Sequence, residues 1–191
     1  MAVRHSESPR AAWHRAGCFR RWAIGAFLFP VLLLTASCGS KKNLEQTDFQ
    51  ALVRASQVLG FDIDWDDDHA LMLEAARWVG TPYKSGGKGR NGIDCSGLSC
   101  QIYENVYRVR LSRRSEDQYR KDCRRHKRRV HLKSGDLVFF HPTGKRRRVN
   151  HVGIYLKDNL FIHASSSRGV CVDNLDDDYW DRHWLGGGRP Q

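Results

Sequence analysis

The hydrophobic period changes partway along this chain, and that change limits its fold more than any other feature. In "DHALMLEAARWVG", Ala70, Leu71, Leu73, Ala75, Ala76 and Val79 fall at mostly helical spacing, with an acidic start and Gly80 at the stop. In "DCSGLSCQIYENVYR", Leu98, Ile102 and Val106 lie four apart and mark one buried helical face. After a shorter helical stretch in "SEDQYRKDC" the pattern becomes alternation: "DLVFFH", "NHVGIYLKD", "NLFIHAS" and "GVCVDN" read as short strands separated by turn residues. Helices first and consecutive strands second define an α+β domain with one antiparallel sheet, against which a first-half helix packs. The 191 residues suffice for one such domain to bury a core without disulfide staples.

The first residues follow a different logic. Arg4, Arg10, Arg15, Arg20 and Arg21 precede the apolar run "WAIGAFLFPVLLLT", which ends in small residues before Cys38, as in a signal peptide. The run from Trp22 to Thr35 is 14 residues, short of the roughly 20 that span a bilayer as a helix. The following "TASCGS" resembles a bacterial lipobox, with Thr35 where a leucine is usual and Leu34 one residue earlier. This resemblance implies that Cys38 is acylated on sulfur and becomes the new N-terminus. Buried acyl methylenes contribute about 0.8 kcal/mol each, so the expected partner of the N-terminus is a membrane, reached through a lipid anchor. The expected location is the bacterial cell envelope, on the outer membrane facing the periplasm. Ordinary secretion with cleavage near Ala36 would also leave the domain outside the cytoplasm.

Charge narrows the partners. The formal net charge is +11, and removing residues 1–37 with five Arg and one Glu leaves 27 basic and 20 acidic residues, a net +7. A basic domain favours anionic partners, here cell-wall polymers or lipid headgroups. The runs "RKDCRRHKRRVHLK" and "GKRRRV" come without any helix-turn-helix, zinc-finger or aromatic RNA-binding signature, which argues against nucleic acid. The acidic "DIDWDDDH" lacks the glycine and closing glutamate of an EF-hand loop, so Asp66 to Asp68 read as helix caps. Neither paired CxxC nor HExxH spacing is present, and no metal or other cofactor is expected.

The chemistry concentrates at "GIDCSGLSC". A cysteine at the first turn of a helix meets unpaired N–H groups and the positive end of the helix dipole, which favour a thiolate. Asp94 is placed to cap that helix, and Gly97 to admit a close neighbour. His151, 56 residues on, is flanked by apolar strand residues that would hold an imidazole base rigidly. His163 sits 12 residues later on the next strand, so a hairpin would bring the two rings together. Nucleophile, base and orienter form the logic of thiol peptidases.

Taken in order, "TPYKSGGKGRNGIDCSGL", "LSRRSEDQ", "GDLVFFH", "NHVGIYL" and "FIHASSSRGV" resemble the NlpC family of bacterial cell-wall peptidases, over about residues 70–188. The resemblance implies a papain-like fold, N-terminal helices packed on an antiparallel β-sheet. Together with the N-terminal signal pattern, it divides the chain into a lipoprotein signal peptide (1–37), a tether and lead-in (38–66) and a catalytic domain (67–191). It implies cysteine-type hydrolysis of peptidoglycan stem peptides, at the bond from D-glutamate to the following diamino acid; a monomer is expected. By position, Cys95 is the nucleophile, His151 the general base and His163 the residue that orients it. Tyr83 would help stabilise the oxyanion, Asp94 and Ser96 would hold the free amine of a stem peptide, and Arg113 would meet a substrate carboxylate. Ser85 replaces a frequent aromatic residue and Ser112 a frequent proline. An inactive wall-binding module of the same fold, or an amidase or acyltransferase acting elsewhere, remains as an alternative. Cys100, Cys123 and Cys171 are expected as buried reduced thiols, although an export compartment permits disulfides.

Overall fold

Asp68 starts the folded helices by accepting a hydrogen bond from the Leu71 N–H, which caps α2 (His69–Trp78). The computed structural model describes residues 38–123, 125–141 and 148–191. The signal peptide expected at 1–37 lies outside the described residues, and among those described no helix is long and apolar enough to cross a membrane. Residues 38–59 form α1 (Cys38–Leu59), whose Leu59 joins the core.

A two-residue pairing, β1 (Lys88–Gly89) with β2 (Gly92–Ile93), leads directly into α3 (Cys95–Tyr107). Leu98 and Ile102 of α3 are completely shielded from solvent, and each such side chain stabilises the fold by about 1.5–3 kcal/mol. A short α4 (Ser115–Asp117) continues into a π-helical turn, Gln118–Asp122.

The sheet comprises β3 (His126–Lys127), β4 (Leu137–Phe140), β5 (His151–Tyr155), β6 (Leu160–Ser165), β7 (Gly169–Asn174) and β8 (Trp184–Gly188). Its order is β3-β8-β4-β5-β6-β7, with every pair antiparallel. The four strands read from alternation are β4 to β7. Strand β8, between β3 and β4, was not anticipated: only Trp184 and Leu185 of "WLGGG" carry side chains, too few to show alternation, and a Cβ on Gly187 would come 2.4 Å from the Leu132 side chain, which would have to shift. A last helix, α5 (Asp178–His183), precedes it.

Alternation divides the sheet's side chains between two clusters. Leu137, Phe139, Val152, Ile154, Ile162 and Val170 pack with Leu71, Met72, Ala75, Leu98 and Ile102 of α2 and α3. Val138, Phe140 and Phe161 pack instead with Leu175 and Trp180. The acidic block is held by Lys157, whose ammonium pairs with Asp64 and, at 2.8 Å, with Asp67.

Candidate active site

Asp94 sets the position of the thiol. Its backbone is extended, and its carboxylate accepts from the Gly97 N–H at 2.7 Å, so α3 begins at Cys95. A Cβ on Gly97 would come 2.4 Å from the Gly87 carbonyl oxygen. Only glycine allows the preceding loop to lie this close to the first turn. Gln118, fully buried, closes the other side: its amide donates to the Ser96 and Ser112 carbonyls and its oxygen accepts from the Ser99 hydroxyl. At the position where proline is frequent, the Ser112 N–H and hydroxyl both bond to the Asp122 carboxylate, at 2.7 and 2.8 Å. Proline would offer neither donor.

The expected thiolate-favouring environment is only partly present. Burial pushes the Cys95 thiol above its ordinary value, and the charge of Asp94 adds to this. Backbone N–H groups of Val152, Ser96 and Cys95 act in the opposite direction without prevailing. The helix start therefore does not by itself hold a free thiolate, because desolvation of the charged sulfur outweighs what its N–H groups supply.

On the sheet, the two histidines meet through strand register. The turn between β5 and β6 has Asp158 and Asn159 both at positive φ (46° and 62°), the backbone of a two-residue hairpin turn. It pairs Gly153 with His163, which makes His151 a diagonal neighbour of His163 on the same face. His151 Nε2 lies 3.0 Å from His163 Nδ1. The His151 ring also stacks on Trp180, with centroids 5.5 Å apart, and packs against Phe140. This burial, with His163 beside it, pushes the His151 imidazole down to about 3.

A fourth group, absent from the sequence reading, completes the line. His163 Nε2 lies 3.0 Å from Asp173 Oδ2 on β7, and the same oxygen accepts from Trp180 Nε1 at 3.0 Å and Arg168 at 2.5 Å. Burial would raise the Asp173 pKa, but these donors hold it well below the usual carboxylate range. Burial also lowers His163, more than Asp173 raises it. Asp173 is therefore an acceptor, and His163, neutral, is its donor through Nε2. His163 Nδ1 must then accept from His151 Nε2–H, which leaves His151 Nδ1 bare and able to take a proton. Alternation in "GVCVDN" placed Cys171 and Asp173 on one face, but only the pairing of His163 with Cys171 brings Asp173 within reach.

The remaining candidates gather at Cys95. Arg113 binds both Asp94 oxygens, at 2.9 and 2.7 Å, and donates to Ser96 Oγ at 2.8 Å and the Gly87 carbonyl at 3.1 Å. Asp94, Ser96 and Arg113 thus form one hydrogen-bonded network, and all three line the groove beside Cys95. Tyr83, 37% exposed, lines the groove beside Cys95, Asp94 and Ser96 as well as the adjoining one beside His151 and His163. Cys95 and His151 are not hydrogen-bonded to each other in this structure, and such catalytic contacts often tighten only around bound substrate. Cys95, Cys100, Cys123 and Cys171 are free thiols.

The family model described as NlpC/P60 family matches residues 80–189. The chain is 40% identical over 115 residues to a probable endopeptidase NlpC homolog of Haemophilus influenzae, covering 60% of this chain and 58% of that protein. It is 32% identical over 145 residues to the murein DD-endopeptidase MepS/murein LD-carboxypeptidase of Escherichia coli K12, covering 76% of this chain and 70% of that one. The crystal structure of an NlpC/P60 family protein from Bacillus cereus aligns with a TM-score of 0.58 and 30% identity, over 68% of this chain and 42% of that one. The α+β, papain-like architecture read from the sequence is therefore shown, and the chain belongs to the NlpC/P60 family.

Proposed function

We propose that this protein is a cysteine endopeptidase that cuts the stem peptides of peptidoglycan. The observation that carries the reading is the line from His151 through His163 to Asp173, which ends in a bare imidazole nitrogen on β5, the strand whose Val152 N–H faces the Cys95 sulfur. Both partners rest neutral, so His151 Nδ1 takes the thiol proton as sulfur attacks the scissile carbonyl. The attack forms a C–S bond and a tetrahedral oxyanion, near which Tyr83 and the N–H groups at the start of α3 supply donors. The imidazolium then protonates the departing amine, and the thioester is hydrolysed by water that His151 activates in turn. No metal or organic cofactor enters these steps.

The substrate class rests on the family and on the murein-acting relative from Escherichia coli. The bond proposed is that between D-glutamate and diaminopimelate. The name of the Escherichia coli relative favours a second reading, cleavage of the D,D bond of a cross-link. The reading includes an N-terminal lipid on Cys38 that holds a monomer to the periplasmic face of the outer membrane, supported by "TASCGS" after the apolar run.

Incubating the full-length protein and its Cys95→Ala variant with purified peptidoglycan, followed by mass spectrometry of the released fragments, tests the reaction. Fragments ending in D-glutamate, absent with the variant, are the expected result. Separated but otherwise intact stems would move the bond to the cross-link. Equal release by both proteins would overturn Cys95 as nucleophile.

A further inference from the structure

Cys171 has no part in the proposed reaction, yet its sulfur lies 3.5 Å from His163 Nε2, on the side of the ring that Asp173 occupies. The ligand atoms of His163, Cys171 and Asp173 lie within 4.8 Å of one another, the only such grouping of metal-ligating side chains among the described residues. From this geometry we infer that these three side chains form an inhibitory site for zinc or a similar divalent transition metal.

Thiolate, imidazole and carboxylate are the ligands of tetrahedral zinc, with bonds of about 2.3 Å to sulfur and about 2.0–2.2 Å to nitrogen and oxygen. Those lengths require a sulfur–nitrogen edge of about 3.6 Å and a nitrogen–oxygen edge of about 3.4 Å. The structure holds 3.5 and 3.0 Å on the two edges that meet at His163 Nε2, and drawing the sulfur and the carboxylate oxygen together from within 4.8 Å to about 3.6 Å completes three corners. His163 and Asp173 also line a cleft of about 680 Å³, which gives the ion a way in and leaves the fourth corner to water. Arg168, which now binds Asp173, has a side chain 55% exposed and is free to swing into solvent.

The consequence reaches the base through the protons of the two rings, and it rests on the function proposed above. A metal on His163 Nε2 displaces the proton that Asp173 now accepts. Neutral His163 then carries its proton on Nδ1 and donates it to His151 Nε2, the usual behaviour of a metal-bound imidazole toward its neighbour. His151 in turn keeps its one proton on Nδ1, the nitrogen that must take the proton of Cys95. Each ring still holds one proton, and the Cys171 S–H gives up one proton to solvent for each ion bound. The ion thus reverses the tautomer of both histidines without touching the nucleophile.

Two measurements on full-length protein test this. Co²⁺ is titrated into the Cys95→Ala variant while thiolate-to-cobalt charge-transfer absorption is followed. The expected result is a saturable band at one equivalent, with affinity at least about tenfold weaker when Cys171→Ala is added. An unchanged band in the double variant, or no band in either, overturns the site, and this outcome does not depend on any activity. Peptidoglycan release is then measured for the wild type and for Cys171→Ala with and without Zn²⁺, circular dichroism verifying the fold. Zn²⁺ should lower wild-type kcat at least about tenfold and leave the variant within about twofold of its own rate. Equal inhibition of both proteins would place the ion elsewhere, as on Cys95, and overturn the inhibitory role. Absence of release by metal-free wild type would count against the proposed function alone.

Discussion

Two carboxylates, Asp94 and Asp173, each accept hydrogen bonds from an arginine, and each is held below the usual carboxylate range despite burial. Their remaining donors differ. Asp94 takes the backbone N–H groups of Gly86 and Gly97, so its charge fixes where a helix starts. Asp173 takes a histidine and a tryptophan, so its charge fixes which nitrogen carries a proton. Cys95, the proposed nucleophile, is positioned by backbone, and His151, the proposed base, by side chains reaching across three strands. One carboxylate should therefore be read out mainly in stability and the other mainly in rate.

The largest expected effect lies at the end of the histidine line. His151→Ala should lower kcat for muropeptide release on the order of 10⁴-fold while leaving the circular dichroism spectrum unchanged. Asp173→Ala should come next, with kcat down on the order of 100-fold and KM little changed, since His163 loses the acceptor that sets its tautomer. A fall in KM-dependent binding without a change in kcat would mean that Asp173 contacts substrate instead.

Acid should separate the two carboxylates from the histidines. The unfolded chain takes up an imidazole proton near pH 6.5, whereas folded His151 resists it down to about 3. Stability should therefore fall as pH drops through that window, by up to about 1.4 kcal/mol per unit. Asp94 and Asp173 lose their contributions only below the unfolded carboxylate value of 3.8. Chemical denaturation across pH for the wild type and His151→Phe checks this, and equal slopes between pH 6 and 4 would count against a neutral, desolvated His151.

The smallest effect is expected at the helix cap. Asp94→Ala should lower stability by about 0.5–2 kcal/mol, measured by thermal unfolding, with a smaller loss of kcat than Asp173→Ala. The reverse ranking would break the contrast, and would assign Asp94 a direct role with substrate.

Much of this was legible beforehand because it depends on neighbours in the chain. The cap at Asp94, the start of α3 at Cys95 and strands β4 to β7 follow from a side chain bonding three residues ahead and from alternation with a period of two. The placement of His151 beside His163 could be anticipated from the short link between their strands. Strand β8 was hidden because glycines carry no pattern, and Asp173 because its partner is ten residues away on another strand. The pairing of Arg113 with Asp94 was hidden since sequence shows a charge without showing its partner.

The sequence by itself determined the helix-then-strand order, the family, and the residue types at the proposed nucleophile and base, since local hydrogen bonding and hydrophobic period act over a few residues. Tertiary structure decided the protonation states and the fourth member of the histidine line. Burial raises the Cys95 thiol against its helix N-terminus and lowers His151, while the register of β6 and β7 brings Cys171 and Asp173 to the far side of His163. Desolvation and register both depend on residues distant in the chain, and only the packed sheet brings them together.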